Sequence, residues 1–269
     1  MAGTVVYAYA VARSTEALGP AAAGAHGIAG APVLLLHAED PGLAAAVSRV
    51  PAEDFRQDAL AEHLEDLQWL ETAARAHHAV VAALAAVTTV LPLRLATVYF
   101  DDDGVRSALD ARQDEFTAAL ARLAAQVEWG VKIYVEAPAP DPVPEGPPPA
   151  DVGPGRAYLH ARRAVRDRHA ERYRAAEQAA ARVEAAAARL AVARAHHRVH
   201  SGEPVGEQGE NVLNDAYLVP VERAGVFRED VLRAGQGLNG VRVEVTGPWA
   251  PYSFAVLPQD EPTGGERPV

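Results

Sequence analysis

Residues 91–100 read Leu-Pro-Leu-Arg-Leu-Ala-Thr-Val-Tyr-Phe. Leu93, Leu95, Thr97 and Tyr99 alternate with Arg94, Ala96 and Val98. A period of two sends alternate side chains to opposite faces, so the stretch predicts a strand. A different period precedes it. From about Glu53 to Val87, Leu60, Leu64, Leu67, Ala74, Val81 and Leu84 recur at the spacing of an amphipathic helix. Pro51, Glu53 and Asp54 stand where a helix start favours them. After the strand, Asp101-Asp-Asp-Gly turns the chain and offers an N-cap. A second helix is expected to about Ala125, with Val105, Leu109, Phe116, Leu120 and Leu123 on its inner side.

The same interleaving extends in both directions. Residues 4–12, 33–37 and 43–50 read as strands, the last two separated by the turn Glu39-Asp-Pro-Gly. Residues 127–135 read as another strand. Residues 137–155 hold a dense cluster of Pro and Gly with acids between, the composition of a loop or linker. An Ala/Arg-rich helical stretch follows over 156–200. A continuous helix of that length would span roughly 65 Å, so a break or a projecting arm is expected. Residues 212–221, 223–234 and 241–246 read as strand, helix and strand. Strands and helices thus alternate in two series, which predicts two α+β or α/β units, divided as 1–125 and 126–258. No repeat of 20–50 residues is visible.

The extended segment 247–257 closes the second series. It carries Trp249, Tyr252 and Phe254 between prolines. Aromatics at this density favour docking over solvation. The expectation is that it packs across the C-terminal domain, with Tyr252 to Val256 as a strand-like ribbon.

Composition narrows the function. The chain has 269 residues, 49% of them apolar but only 6% aromatic, so its core must be built from Ala, Val and Leu. The formal net charge is −11, a poor default for binding nucleic acid or anionic lipid. There is no Cys, which excludes disulfides, zinc–thiolate sites and a Cys nucleophile. The first residues lack the positive region of a secretory leader. The longest apolar run, 79–93, is short for a membrane helix and contains Pro92. A soluble, cytoplasmic protein is expected, with no membrane or nucleic-acid partner.

Motifs of catalysis and phosphate binding are missing. Asp101, Asp102 and Asp103 are adjacent, so their side chains diverge, and capping is the simpler reading. His77 and His78 point about 100° apart on a helix and cannot easily share an ion. His77 lies near the apolar stripe, as a core histidine would. His196 and His200 form an i, i+4 pair if the helix reaches them, but a third ligand must come from elsewhere. No metal and no cofactor are expected. The segment 156–198 holds 11 Arg against four acids. It reads as a helix folded back on an acidic body, as a docking arm for an acidic partner, or as a nucleic-acid stripe. The last lacks aromatic residues for stacking. An enzyme or binding site in an interdomain cleft, using Arg94 with His77 or His78 to hold a carboxylate or phosphate, is the alternative to a non-catalytic role. The plainer reading of Arg94 is a buried pair with Glu71.

Six segments in order resemble one known family. They are Val6-Tyr-Ala-Tyr-Ala-Val, the helix around Leu60 to Glu71, and His77-His-Ala-Val-Val with Leu91-Pro92-Leu93-Arg94. Glu128-Trp129-Gly130-Val-Lys-Ile-Tyr, Asn214-Asp-Ala-Tyr217-Leu-Val and Thr246-Gly247-Pro248-Trp249-Ala-Pro251-Tyr252-Ser-Phe complete the set. Together they are similar to the gas vesicle synthesis proteins GvpL/GvpF, in the form found in actinobacterial members. That family often has Phe-Gly after the Arg, where this chain has Leu95-Ala96, and Pro-Pro-Tyr in the tail, where this chain has Ala250-Pro251-Tyr252.

The resemblance implies two α+β domains, the C-terminal one modified ferredoxin-like with a long helical extension, for which 156–200 is the candidate. It implies a non-enzymatic part in building gas vesicles, cytoplasmic gas-filled shells of a small, very hydrophobic subunit, GvpA. The implied partners are GvpA and other gas vesicle accessory proteins.

Overall fold

The computed structural model describes residues 3–39, 42–55, 59, 63, 65–136, 154–199 and 209–257. Leu60 and Leu64, residues 137–153 of the linker assigned to 137–155, and His200 lie outside them. The chain divides into two compact units, one of residues 1–127 with 249 onward, the other of residues 128–248.

In the first unit, β1 (Thr4–Arg13) is followed by α1 (Leu18–Ala23), β2 (Leu34–His37), β3 (Leu43–Pro51), α2 (Leu67–Ala85), β4 (Val90–Pro92) and β5 (Val98–Tyr99). Strand order is β2-β3-β1-β4, with β5 also on β1. β1 pairs antiparallel with β3 from Thr4↔Pro51 to Arg13↔Leu43, and with β4 through Val11↔Leu91. Helices α3 (Asp102–Ala111) and α4 (Gln113–Leu123) complete the unit. Its core joins Tyr7, Tyr9 and Ala10 of β1 to Val80, Val81 and Leu84 of α2. With few aromatics available, the sheet face relies on Ala44, Ala46 and Val50.

The second unit contains β6 (Gln126–Val135) from Glu128 on, α5 (Pro154–Leu190), β7 (Ala193–His196), β8 (Glu210–Pro220), α6 (Ala224–Ala234) and β9 (Val241–Trp249) up to Pro248. Its strand order is β7-β8-β6-β9. Element order βαββαβ with the first strand between the third and fourth is the ferredoxin-like arrangement. The first unit follows the same rule: β1-α1-β2-β3-α2-β4, with β1 between β3 and β4. The repeat is one of topology, with no matching residue pattern to betray it.

Several expected boundaries move. The helix expected over 53–87 is broken at Asp66: Ala59, His63 and Glu65 are helical before it, and α2 starts anew at Leu67, where Asp66 accepts from the Gln68 and Trp69 backbone at 2.9 and 3.2 Å. Residues 52–55 form a 3-10 turn. The single helix expected up to Ala125 breaks at Arg112 into α3 and α4, although all five inner residues are buried. The strand expected over 91–100 is interrupted. Thr97 donates its backbone N–H and its hydroxyl to the Arg94 carbonyl at 3.2 and 2.7 Å, closing a turn between β4 and β5. Ala96 in that turn has φ +63°.

The helix expected over 156–200 begins at Pro154 and ends at Leu190. The chain then pairs β7 with β8, Ala193 opposite Leu218 and His196 opposite Asp215. His196 is therefore on a strand, and the expected i, i+4 helical pair with His200 does not form. The tail also differs from expectation. Residues 247–249 belong to β9, Tyr252–Phe254 form a 3-10 turn rather than a ribbon, and the chain from Trp249 packs on the first unit.

Candidate functional site

The sequence-selected residues gather into three clusters, the first of them in the first unit. β1 brings Tyr7 and Tyr9 to the core, and α2 lays His77 over them. The Tyr7 hydroxyl is 2.9 Å from His77 Nδ1 and accepts from the Ala96 backbone at 3.1 Å. Burial raises the Tyr7 phenol far above its usual range, so it keeps its proton. His77 is 3% exposed. Burial pushes its pKa down to about 4, against the Leu93 backbone, and neighbouring His78 lowers it further. At neutral pH His77 is uncharged. Tyr9 accepts from the Ile28 backbone at 2.8 Å, and its ring lies 4.8 Å from that of Tyr7.

The 91–94 motif frames this pair with backbone. Leu91 and Pro92 are buried in β4, and Leu93 donates its N–H to the Tyr9 carbonyl at 2.9 Å. Arg94 faces solvent. Its expected partner Glu71 binds Arg75 at 2.5 Å instead. An exposed guanidinium and a core imidazole already bonded to tyrosine form no joint anion site.

The tail completes the cluster from outside. The Tyr252 ring lies 6.2 Å from His77 and 6.0 Å from His78, and Trp249 meets His78 edge-on at 5.0 Å. Pro251 accepts from the Phe254 backbone at 3.2 Å, closing the 3-10 turn. Arg122 of α4 donates to the carbonyls of Phe254 and Val256 at 2.9 and 3.3 Å. Thus the divergence of the two histidines is used: one faces the core, and both meet the tail.

The second cluster, in the second unit, explains Trp129, Gly130, Gly247 and Pro248. Buried Trp129 and half-buried Gly130 lie on β6 beside β9. A Cβ on Gly130 would stand 2.6 Å from Thr246 Oγ1. Gly247 has φ +128°, and a Cβ there would stand 2.8 Å from the Glu128 carbonyl and 3.1 Å from the Trp129 ring. The Gly247–Pro248 bond is cis. Close strand packing, rather than ligand binding, requires these residue types.

The third cluster surrounds Asp215, which was not among the residues singled out from sequence, whereas Tyr217 and His196 were. Asp215 is 3% exposed. Its Oδ2 accepts from Arg194 Nε and Nη2 at 3.0 and 2.7 Å and from the Tyr217 hydroxyl at 3.3 Å. Its Oδ1 lies 2.8 Å from His196 Nδ1. Burial first, and the carboxylate second, raise the Tyr217 phenol. An acid inside the apolar run after Asn214 was the available signal; a buried carboxylate needs partners.

The acidic triplet makes three separate contacts. Asp101 caps α3 by accepting from the Gly104 backbone at 2.8 Å, Asp102 binds Arg49 at 2.7 Å and Asp103 binds Arg106 at 3.0 Å. Among the described residues no group of three His, Asp or Glu is arranged to hold a metal ion. An open groove of about 500 Å³ on the second unit is lined by Glu136, Arg168, Glu171, Arg172, Ala175 and Asn239, with Gly240 at its edge. Its two acids and two arginines balance, so it favours neither ion. No described helix is long and apolar enough to cross a membrane.

Two units, each with the ferredoxin-like order of strands, define an α+β protein. Comparison with known proteins gives that class a family. The pattern described as gas vesicle synthesis protein GvpL/GvpF matches residues 5–256, and the chain belongs to that family. It is 45% identical over 256 residues to gas vesicle protein L of Streptomyces sp. (strain CB03234), covering 95% of this chain and 94% of that one. It is 29% identical over 257 residues to gas vesicle protein F of the same strain, covering 92% and 98%. Crystal structures of GvpF share the fold. The Anabaena sp. PCC7120 protein has a TM-score of 0.63 at 17% identity, covering 95% of this chain and 97% of that one. The Microcystis aeruginosa protein has a TM-score of 0.63 at 18% identity, covering 94% and 99%. Membership supports an accessory role in gas vesicles.

Proposed function

We propose that this chain is a non-enzymatic assembly factor or minor structural component of gas vesicles. In this reading it acts in the cytoplasm and at the vesicle. It binds the shell subunit GvpA and other accessory proteins through its surface. A subunit that is to line a gas-filled space exposes apolar area before assembly and needs a soluble partner. One observation carries the non-catalytic part of the reading. His77, the buried histidine that sequence reasoning offered to a cleft, is held neutral by burial and is hydrogen-bonded to Tyr7 inside the first unit's core. That is the environment of a structural group rather than of a base open to substrate.

The test is co-expression of the tagged chain with GvpA and the accessory proteins, followed by purification. Co-purification of GvpA, together with loss of vesicles when the chain is deleted, is the expected result. Normal vesicles without the chain, or no GvpA on the purified chain, would overturn the proposal.

A further inference from the structure

Helix α5 has two halves with different environments. In the C-terminal half Ala176, Ala179, Val183, Ala186 and Ala187 are buried along one face. Arginines around this half are engaged inside the second unit. Arg172 donates to the Glu136 carbonyl at 3.4 Å, Arg182 to the Ala234 and Gln236 carbonyls at 3.1 and 3.0 Å, and Arg189 to Asp230 at 2.9 Å. The folded-back reading of the Arg-rich segment holds for this half.

It fails for Arg162, Arg163 and Arg166, which lie in a stretch, 162–169, whose residues are all exposed. Over about two turns the helix shows no covered face. The stretch reads Arg-Arg-Ala-Val-Arg-Asp-Arg-His, with Asp167 its one acid. The Arg166 side chain is 74% exposed and 3.9 Å from Asp167. A polar helix without tertiary packing depends on alternating charges at i, i+4, and here Arg162 and Arg166 repel at that spacing. Arg163 and Asp167 attract at the same spacing, so what remains over these residues is a surplus of four Arg against one acid, which carboxylates of another chain can neutralise.

We propose that residues 162–169 dock an acidic helix of a partner protein, whose carboxylates pair with Arg162, Arg163 and Arg166. The spacing suits a helix with acids at i, i+4, since its carboxylates repeat along one face at the same pitch. An extended nucleic acid fits less well. The stretch has no aromatic side chain for bases to stack on, and the chain as a whole carries −11. The inference names the chemistry of one partner within the assembly reading. Its test needs only purified chain and a peptide, so it can fail while that reading stands.

The probe is an alanine-based helical peptide with Glu at every fourth position, titrated into the full chain. Binding is expected at low salt and should weaken at least about tenfold at high salt. R162E/R163E/R166E should abolish it, and the milder R162Q/R163Q/R166Q should weaken it, with unchanged melting temperature. R223E/R228E, at exposed arginines of the second unit, should leave it intact. Three results would each overturn the proposal: no binding at low salt, equal loss in both variant sets, or tighter binding of a short DNA duplex than of the peptide.

Discussion

The Tyr7–His77 pair makes stability depend on pH in a defined direction. His77 has its pKa pushed down to about 4 in the fold, against about 6.5 in an unfolded chain. Between those values the unfolded state binds the extra proton, so stability rises with pH there. Above about 6.5 the full contribution is present. It is lost as pH falls toward 4, up to on the order of 3 kcal/mol. Melting temperatures measured from pH 7 to 4 should fall more steeply for the native chain than for His77→Gln, which cannot titrate. Parallel curves would mean that His77 does not govern the acid limb. Ala96, which hydrogen-bonds the same tyrosine, offers a second test. At φ +63° an alanine is strained where glycine is not. Ala96→Gly should stabilise by about 1 kcal/mol, read as a higher midpoint in urea. The departure from Phe-Gly looks conservative in sequence, yet it falls on a left-handed position. Alternation along 91–100 could not reveal this, because a turn held by Arg94 and Thr97 leaves the apolar pattern intact.

At the scale of elements, α5 shows how environment rather than composition divides a helix. Val183 is fully buried and Val165 is 51% exposed on the same helix. Val183→Ala should cost about 1–3 kcal/mol through the cavity it leaves. Val165→Ala should change stability by less than about 0.5 kcal/mol. Denaturant midpoints of the two variants check the contrast, and similar losses would mean that the exposed half also packs. The helix was legible in its Ala/Arg pattern, and its end was not. Residues 191–196 have residue types that helices accept, but pairing of β7 with β8 supplies backbone bonds and places Arg194 and His196 on Asp215. Long-range pairing overrides local preference there. Asp66 is the opposite case. A capping residue inside an apparently continuous period was a readable signal, and periodicity concealed it.

On the scale of the whole molecule, the chain leaves the first unit in β6 and returns to it at Trp249, the last residue of β9. The second unit is in effect an insertion between residues 127 and 249. Sequence order could not show this, since the aromatic tail follows the second series of strands directly. The density of aromatics did indicate docking, but it could not say on what. The returning segment buries Ala250, Phe254 and Leu257, while Arg122 holds its carbonyls. Each large side chain fully buried contributes about 1.5–3 kcal/mol before the entropy of ordering is subtracted. Truncation after Trp249 keeps β9 whole and removes only this segment. It uncovers His77 and His78 on the side of Tyr252. Hydrogen exchange of the truncated chain should therefore show faster amides in α2 and α4, with β6 and β8 protected as before. Faster exchange confined to the second unit would place the tail's stabilisation there instead. Unchanged protection throughout would mean that the segment contributes nothing to the first unit, and that its aromatics serve a partner.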